Sequence, residues 1–196
     1  MIEIRSYFFL TAIILACFAI GASAQTDNLT LRSPQDIQNV SGKTPPSGLE
    51  RAVFKQLIRL PYYSVFDHIA YKIDGDSVTL LGKVAVAVNK SDAGRAVKRV
   101  PGVGHVINNI EVLPPSPFDD SIRRRTLRTL LRTSGLFRYF QGANPSVRII
   151  VDGGHVELEG YVANRGDYNT MNILANGITD VFSVKNNLIV EKELVR

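Results

Sequence analysis

The chain has 196 residues, with 23 Lys and Arg against 18 Asp and Glu, three histidines, one cysteine and a formal net charge of +5. A single cysteine, near the N-terminus, excludes a disulfide framework and thiolate zinc clusters. The basic excess is moderate, and its distribution says more than its size: Arg123, Arg124, Arg125, Arg128, Arg132 and Arg138 crowd together, while Glu157, Glu159, Glu191 and Glu193 stand elsewhere.

The N-terminus carries Arg5, an apolar run from Tyr7 to Ile20, and Gly21-Ala22-Ser23-Ala24. A basic start, a short apolar stretch and an Ala-x-Ala ending make residues 1–24 a secretory signal peptide cleaved after Ala24. The run falls short of the ~20 residues a membrane span needs. Ile14-Leu15-Ala16-Cys17 resembles a lipid-attachment motif, so a lipoprotein carried on Cys17 is one alternative and a retained anchor the other. Each route takes the chain out of the cytoplasm, and a periplasmic location in a bacterial envelope is expected. Residues 25–47 are polar, carry Pro34, Pro45 and Pro46, and lack an apolar period, which reads as a flexible tether.

The rest of the chain is a repeat. Residues 74–112 read again as 152–190 at one constant offset, with twelve aligned positions identical. Each copy opens with a helix. Ser47-Gly48-Leu49-Glu50 is a capping box, followed by Leu49, Val53, Leu57 and Leu60 at helical spacing until Pro61; in the second copy Asp119-Asp120-Ser121 starts a stripe of Ile122, Leu127, Leu130 and Leu131. Two strands follow, joined at Asp74-Gly75 and Asp152-Gly153, hairpin signals because these residues tolerate positive φ. Alternation of Glu157, Glu159 and Tyr161 with Val156, Leu158 and Gly160 predicts one wet sheet face and helices on the other. A second helix carries Ala93, Ala96, Val97 and Val100, or Met171, Leu174, Ala175 and Ile178. A final strand, 103–112 or 181–190, returns by a crossover parallel to the strand before the helix. The fold class is therefore α+β, two tandem αββαβ two-layer sandwiches, each a three-stranded mixed sheet with two helices on one face. The units span 48–113 and 119–192, and the proline-rich segment 114–118 is a stiff linker between them.

The pattern Asp-Gly-x-x-Val-x-Leu-x-Gly-x-Val, the alanine-rich helix, Gly102-Val103 and Val106-x-Asn108-Asn109-x-x-Val112 resembles the BON domain, met twice. The second copy departs with Asp180 in place of Gly102, and with five extra residues that make Leu136–Pro145 a feature of its own. The resemblance implies an envelope protein that associates with phospholipid and takes part in osmotic stress tolerance.

No catalytic constellation appears. His68, His105 and His155 have no acid or second histidine at a metal spacing. Gly102-Val103-Gly104 lacks a third glycine and precedes a strand, so it cannot cradle a pyrophosphate at a helix start. Gly82 and Gly160 inside strands mark close approach of a helix backbone or a bulge, and Asn108-Asn109 and Asn186-Asn187 mark edge or turn hydrogen bonding. Neither a cofactor, a metal nor an enzymatic activity is expected.

The arginine cluster is different, because the first copy carries only Arg51, Lys55 and Arg59 there. At 100° per residue Arg124, Arg125, Arg128 and Arg132 fall in one arc. Phe137, Arg138, Tyr139 and Phe140 follow at once. Guanidinium groups beside aromatic rings suit an anionic phospholipid headgroup region, with charge on phosphate and rings at the apolar boundary. The bland reading is a solvated helix face with Phe137 and Phe140 in the core. The expected function is a non-enzymatic envelope protein that binds anionic phospholipid surfaces and supports membrane integrity. The alternative is a periplasmic protein–protein or chaperone-like module, suggested by apolar Leu81 where the second copy has Glu159. Nucleic acid is not an expected partner of an exported chain.

Overall fold

A computed structural model describes residues 48–191; the expected signal peptide and tether, and Ser47 of the capping box, lie outside them. The first unit runs α1 (Gly48–Leu57), β1 (His68–Asp74), β2 (Ser77–Val84), α2 (Ala87–Lys98), β3 (His105–Asn108) and β4 (Glu111–Val112). The second runs α3 (Pro117–Arg132), a 3₁₀ turn (Phe137–Phe140), β5 (Val147–Asp152), β6 (His155–Val162), α4 (Arg165–Asn176) and β7 (Ser183–Val190).

Both hairpins form where the turn chemistry places them. Asp74 faces Ser77 and Asp152 faces His155 across antiparallel ladders, with Gly75 at φ 61° and Gly153 and Gly154 at φ 56° and 82°. The crossovers are parallel: β2 pairs β3 and β4, and β6 pairs β7 from His155↔Ser183 to Val162↔Val190. The first unit's last strand is broken where an unbroken one was expected, giving that sheet four strands. The Asn109 N–H still reaches the Leu80 carbonyl at 2.9 Å, so the ladder is interrupted around Asn109 and buried Ile110 rather than abandoned.

The glycines inside strands answer to a neighbouring strand, not to a helix. A Cβ on Gly82 would stand 2.1 Å from the His68 carbonyl oxygen, and one on Gly160 2.0 Å from that of Ser146. The asparagines act alike in both units. Asn108 Nδ2 donates to the Lys90 carbonyl at 2.7 Å and Asn186 Nδ2 to that of Tyr168 at 3.3 Å, tying the last strand to the helix beside it.

Each unit has its own core. Val53 and Leu57 of α1 and Ala93, Ala96 and Val97 of α2 close over Ile69, Val78, Leu80 and Val84. Ile122 and Leu130 of α3 and Met171 and Ala175 of α4 close over Val147, Ile149, Val156 and Leu158. Leu131, expected in the α3 stripe, is 43% exposed. Arg123, Thr126 and Leu130 centre the buried arc, and Leu131 falls outside it.

The second sheet face is wetted only in part. Ala70, Arg148, Ile150 and Tyr161 are buried yet belong to neither core. Arg148 and Ile150 alternate with the core residues of β5, so they point away from the helices. Lys83 Nζ on β2 reaches Glu157 Oε1 at 3.3 Å and Asp152 Oδ2 at 3.6 Å. The sheets thus meet through their outer faces, and half-buried Leu81 lies on that side of β2. The segment before β1 completes the contact. Ile149 N–H donates to the Val65 carbonyl at 2.9 Å, and Phe66 packs against the second unit's core.

Candidate functional site

The basic helix α3 begins two residues before the expected Asp119. Ser116 is its N-cap, its hydroxyl accepting from the Asp119 N–H at 3.1 Å, and Pro117 takes the first turn, where its missing N–H costs nothing. Asp119 is thereby free for another task. Its buried carboxylate accepts from the N–H groups of Gly153 and Gly154 at 3.0 and 2.8 Å, pinning the β5–β6 turn to the helix start.

The arginines divide by environment. Arg123 is buried, with Nη1 2.5 Å from Asp120 and Nη2 donating to the Val151 carbonyl at 2.6 Å, so it serves the fold. Arg125 is half-buried and pairs with Asp180 at 2.9 Å. Asp180 holds φ 71° where the first unit has Gly102 at φ 93°. Aspartate tolerates that conformation better than most residues, and the arginine engages its carboxylate. Arg124, Arg128 and Arg132 are exposed and make no ion pair among the described residues. Four residues apart, they stand about 6 Å from one another along one stripe. Leu131 lies beside them.

The aromatic turn splits in two. Phe137 is 49% exposed, beyond the C-terminal end of the stripe. Tyr139 is buried, its hydroxyl donating to Asp167 and accepting from the Ala163 N–H at 3.0 Å. Burial, then the Asp167 hydrogen bond, pushes its phenol above the ordinary range, so it stays neutral. Arg138 lies 4.8 Å over the Tyr139 ring and donates to its hydroxyl and to Asp167; Tyr139 and then Asp167 hold it charged. Phe140 packs partly against the core. Of the expected site residues, Arg124, Arg128, Arg132 and Phe137 share the open surface. Arg125 and Arg138 are engaged with carboxylates, and Tyr139 and Phe140 turn inward.

His105 and His155 are exposed, whereas His68 is half-buried at the start of β1, its Nδ1 out of solvent and without a partner among the described residues. Among those residues no group of three or more His, Cys, Asp or Glu could hold a metal, and no helix is long and apolar enough to cross a membrane.

The family model for the BON domain matches residues 48–114 and again 119–192. The chain belongs to the BON-domain family. That family is one of envelope proteins whose domains associate with phospholipid. None of the curated proteins compared matches the chain. Two solved structures of CdsD, a structural protein of the type III secretion system of Chlamydia trachomatis, are similar at 13% identity each. One, its C-terminal domain, aligns over 75% of this chain and 99% of its own with a TM-score of 0.29; the other aligns over 74% and 94% with a TM-score of 0.27. The basic stripe thus belongs to the first helix of the second BON unit. Leu131, expected in the buried stripe, instead lies exposed beside Arg124 and Arg128, as its helical angle implies.

Proposed function

We propose that this tandem BON protein is a non-enzymatic component of the bacterial envelope that binds anionic phospholipid surfaces through the outer face of α3 and the turn after it, and so supports membrane integrity under stress. The observation that carries this reading is the stripe of Arg124, Arg128 and Arg132, unpaired among the described residues and flanked by exposed Leu131 and Phe137. Guanidinium groups without carboxylate partners are free to meet phosphate, and bidentate geometry suits them to it. Apolar side chains at the same level can enter the headgroup boundary. Engagement of Arg125 and Arg138 by acids shrinks the contact from eight residues to a smaller set with Leu131 added. A protein-partner reading rested on Leu81, and its half-buried place on the face joining the two sheets accounts for that residue without a partner.

Sedimentation with phosphatidylcholine vesicles, with and without phosphatidylglycerol, tests the proposal. Binding is expected only with the anionic lipid and should weaken with salt. The triple change Arg124→Gln, Arg128→Gln, Arg132→Gln should lower partitioning on the order of 100-fold, at about 1 kcal/mol for each basic residue near the surface. Equal pelleting with neutral vesicles, or no loss in the triple variant, would overturn it.

A further inference from the structure

A second exposed aromatic group stands near the opposite end of the same helix. Phe118, in the first turn of α3, is 42% exposed, and Phe182, just before β7, is 68% exposed. Their ring centroids are 6.0 Å apart, and the His155 ring lies edge-on 5.9 Å from Phe182. His155 Nδ1 is 2.7 Å from the Ser183 hydroxyl. The backbone builds a seat for this cluster. Phe182 N–H donates to the Gly154 carbonyl at 2.9 Å, and a Cβ on Gly154 would come within 2.7 Å of the Phe182 ring and 3.2 Å of Phe118.

Neither phenylalanine belongs to the core. At the repeat offset the first unit carries Gly104, Asp76 and Ser77 in place of Phe182, Gly154 and His155, so the cluster exists in the second unit alone. The neighbouring acids are already engaged: Asp119 with the Gly153-Gly154 turn, Asp120 with Arg123, and Asp180 with Arg125. No acid of that group is left to repel a phosphate surface. On the helical wheel Phe118 lies ~80° from Arg128, within the same half of the helix. Sixteen residues make α3 about 24 Å long, so the Phe118–Phe182 pair and Phe137 bracket the arginine stripe.

Resting on the lipid-binding reading above, we infer that the Phe118–Phe182 pair is a second membrane anchor. Helix α3 then lies along an anionic phospholipid surface, its arginines at the phosphates and aromatic rings entering the acyl boundary at both ends. A helix held at one end could pivot, whereas two anchors fix its direction in the plane of the membrane. Interfacial helices seat apolar groups roughly 5–10 Å deep, within reach of a phenyl ring on a helix resting at the headgroups.

The chain has no tryptophan, so Phe182→Trp and Phe137→Trp each create a lone fluorescent reporter, and Tyr62→Trp at an exposed site of the first unit supplies the comparison. The probes are phosphatidylcholine–phosphatidylglycerol vesicles with and without brominated acyl chains. Both second-unit reporters should shift to the blue and be quenched by bromine, and the Tyr62→Trp reporter should do neither. The double change Phe118→Ala, Phe182→Ala should weaken vesicle binding about 10-fold or more, from loss of buried ring area, with its melting temperature little changed. Quenching of Phe137→Trp without Phe182→Trp, or full binding by the double alanine variant, overturns the second anchor and leaves the lipid reading standing. Failure of both reporters together with failure to pellet overturns both.

Discussion

The guanidinium of Arg148 lies 4.4 Å from the ring centroid of Tyr63 and donates to the Ser64 carbonyl at 2.7 Å, so a fully buried charge of the second unit is held by backbone and ring of the first. Its other nitrogen partner is Asn144, within its own unit. Removing the side chain leaves those acceptors unanswered in a closed interface. Arg148→Ala should cost about 3–5 kcal/mol in urea unfolding, and Arg148→Met, which keeps the volume and removes the charge, clearly less. Equal losses from the two changes would show that the hydrogen-bonded charge alone, and not the packing, matters there.

His68 shares that region. Burial, and then the charge of Arg148, pull its pKa from 6.5 to about 4. The folded state therefore prefers the neutral ring. Its contribution is complete above pH 6.5 and is lost as the pH falls from there through about 4, by roughly 3 kcal/mol in total. Thermal melts across this window should fall more steeply for the native chain than for His68→Gln. Parallel curves would remove the histidine from the account.

Asp119 joins helix to hairpin through two backbone N–H groups. Asp119→Ala leaves both donors without their acceptor, that of Gly154 in a buried position, and should cost about 2–3 kcal/mol. Asp119→Asn retains one accepting oxygen and should recover a good part of that. Melting temperatures of the pair decide it, and no difference between them would mean that the turn finds water instead.

Two glycines of the second hairpin should respond very differently to alanine. Gly160 has φ 113° and a carbonyl oxygen 2.0 Å from any added Cβ, whereas Gly153 has φ 56° and open space. Gly153→Ala should cost about 1–2 kcal/mol, the ordinary left-handed penalty. Gly160→Ala should cost at least ~3 kcal/mol or prevent folding, since backbone must move. Similar soluble yields and stabilities would contradict the close approach.

The hairpins, the helix stripes and the duplication were legible because each is written locally, in period, turn residues or self-similarity. Contacts between the units were not. Arg148 stands in a strand reading Val147 to Val151, and Ile150 occupies an outward position that a solvent-facing sheet would give to a polar residue. That apolar residue was the available signal. The stretch Tyr63–Phe66, which meets Arg148 and the Ile149 N–H, has no period to read. At the candidate site the wheel gathers Arg124, Arg128 and Arg132, which the fold leaves exposed. It could not separate them from Arg125, because Asp180 is brought alongside only by the fold. Tyr139 was likewise indistinguishable from Phe137 until Asp167 and Ala163 claimed its hydroxyl.

Phe66 precedes β1 of the first unit and packs against the core of the second. A gene duplication yields two equivalent copies, and this residue shows that equivalence has been lost. A further first copy would carry a ring with no core to receive it, and a further second copy a core with no ring to fill it. The pair has become a single inherited object that can no longer be lengthened by repetition.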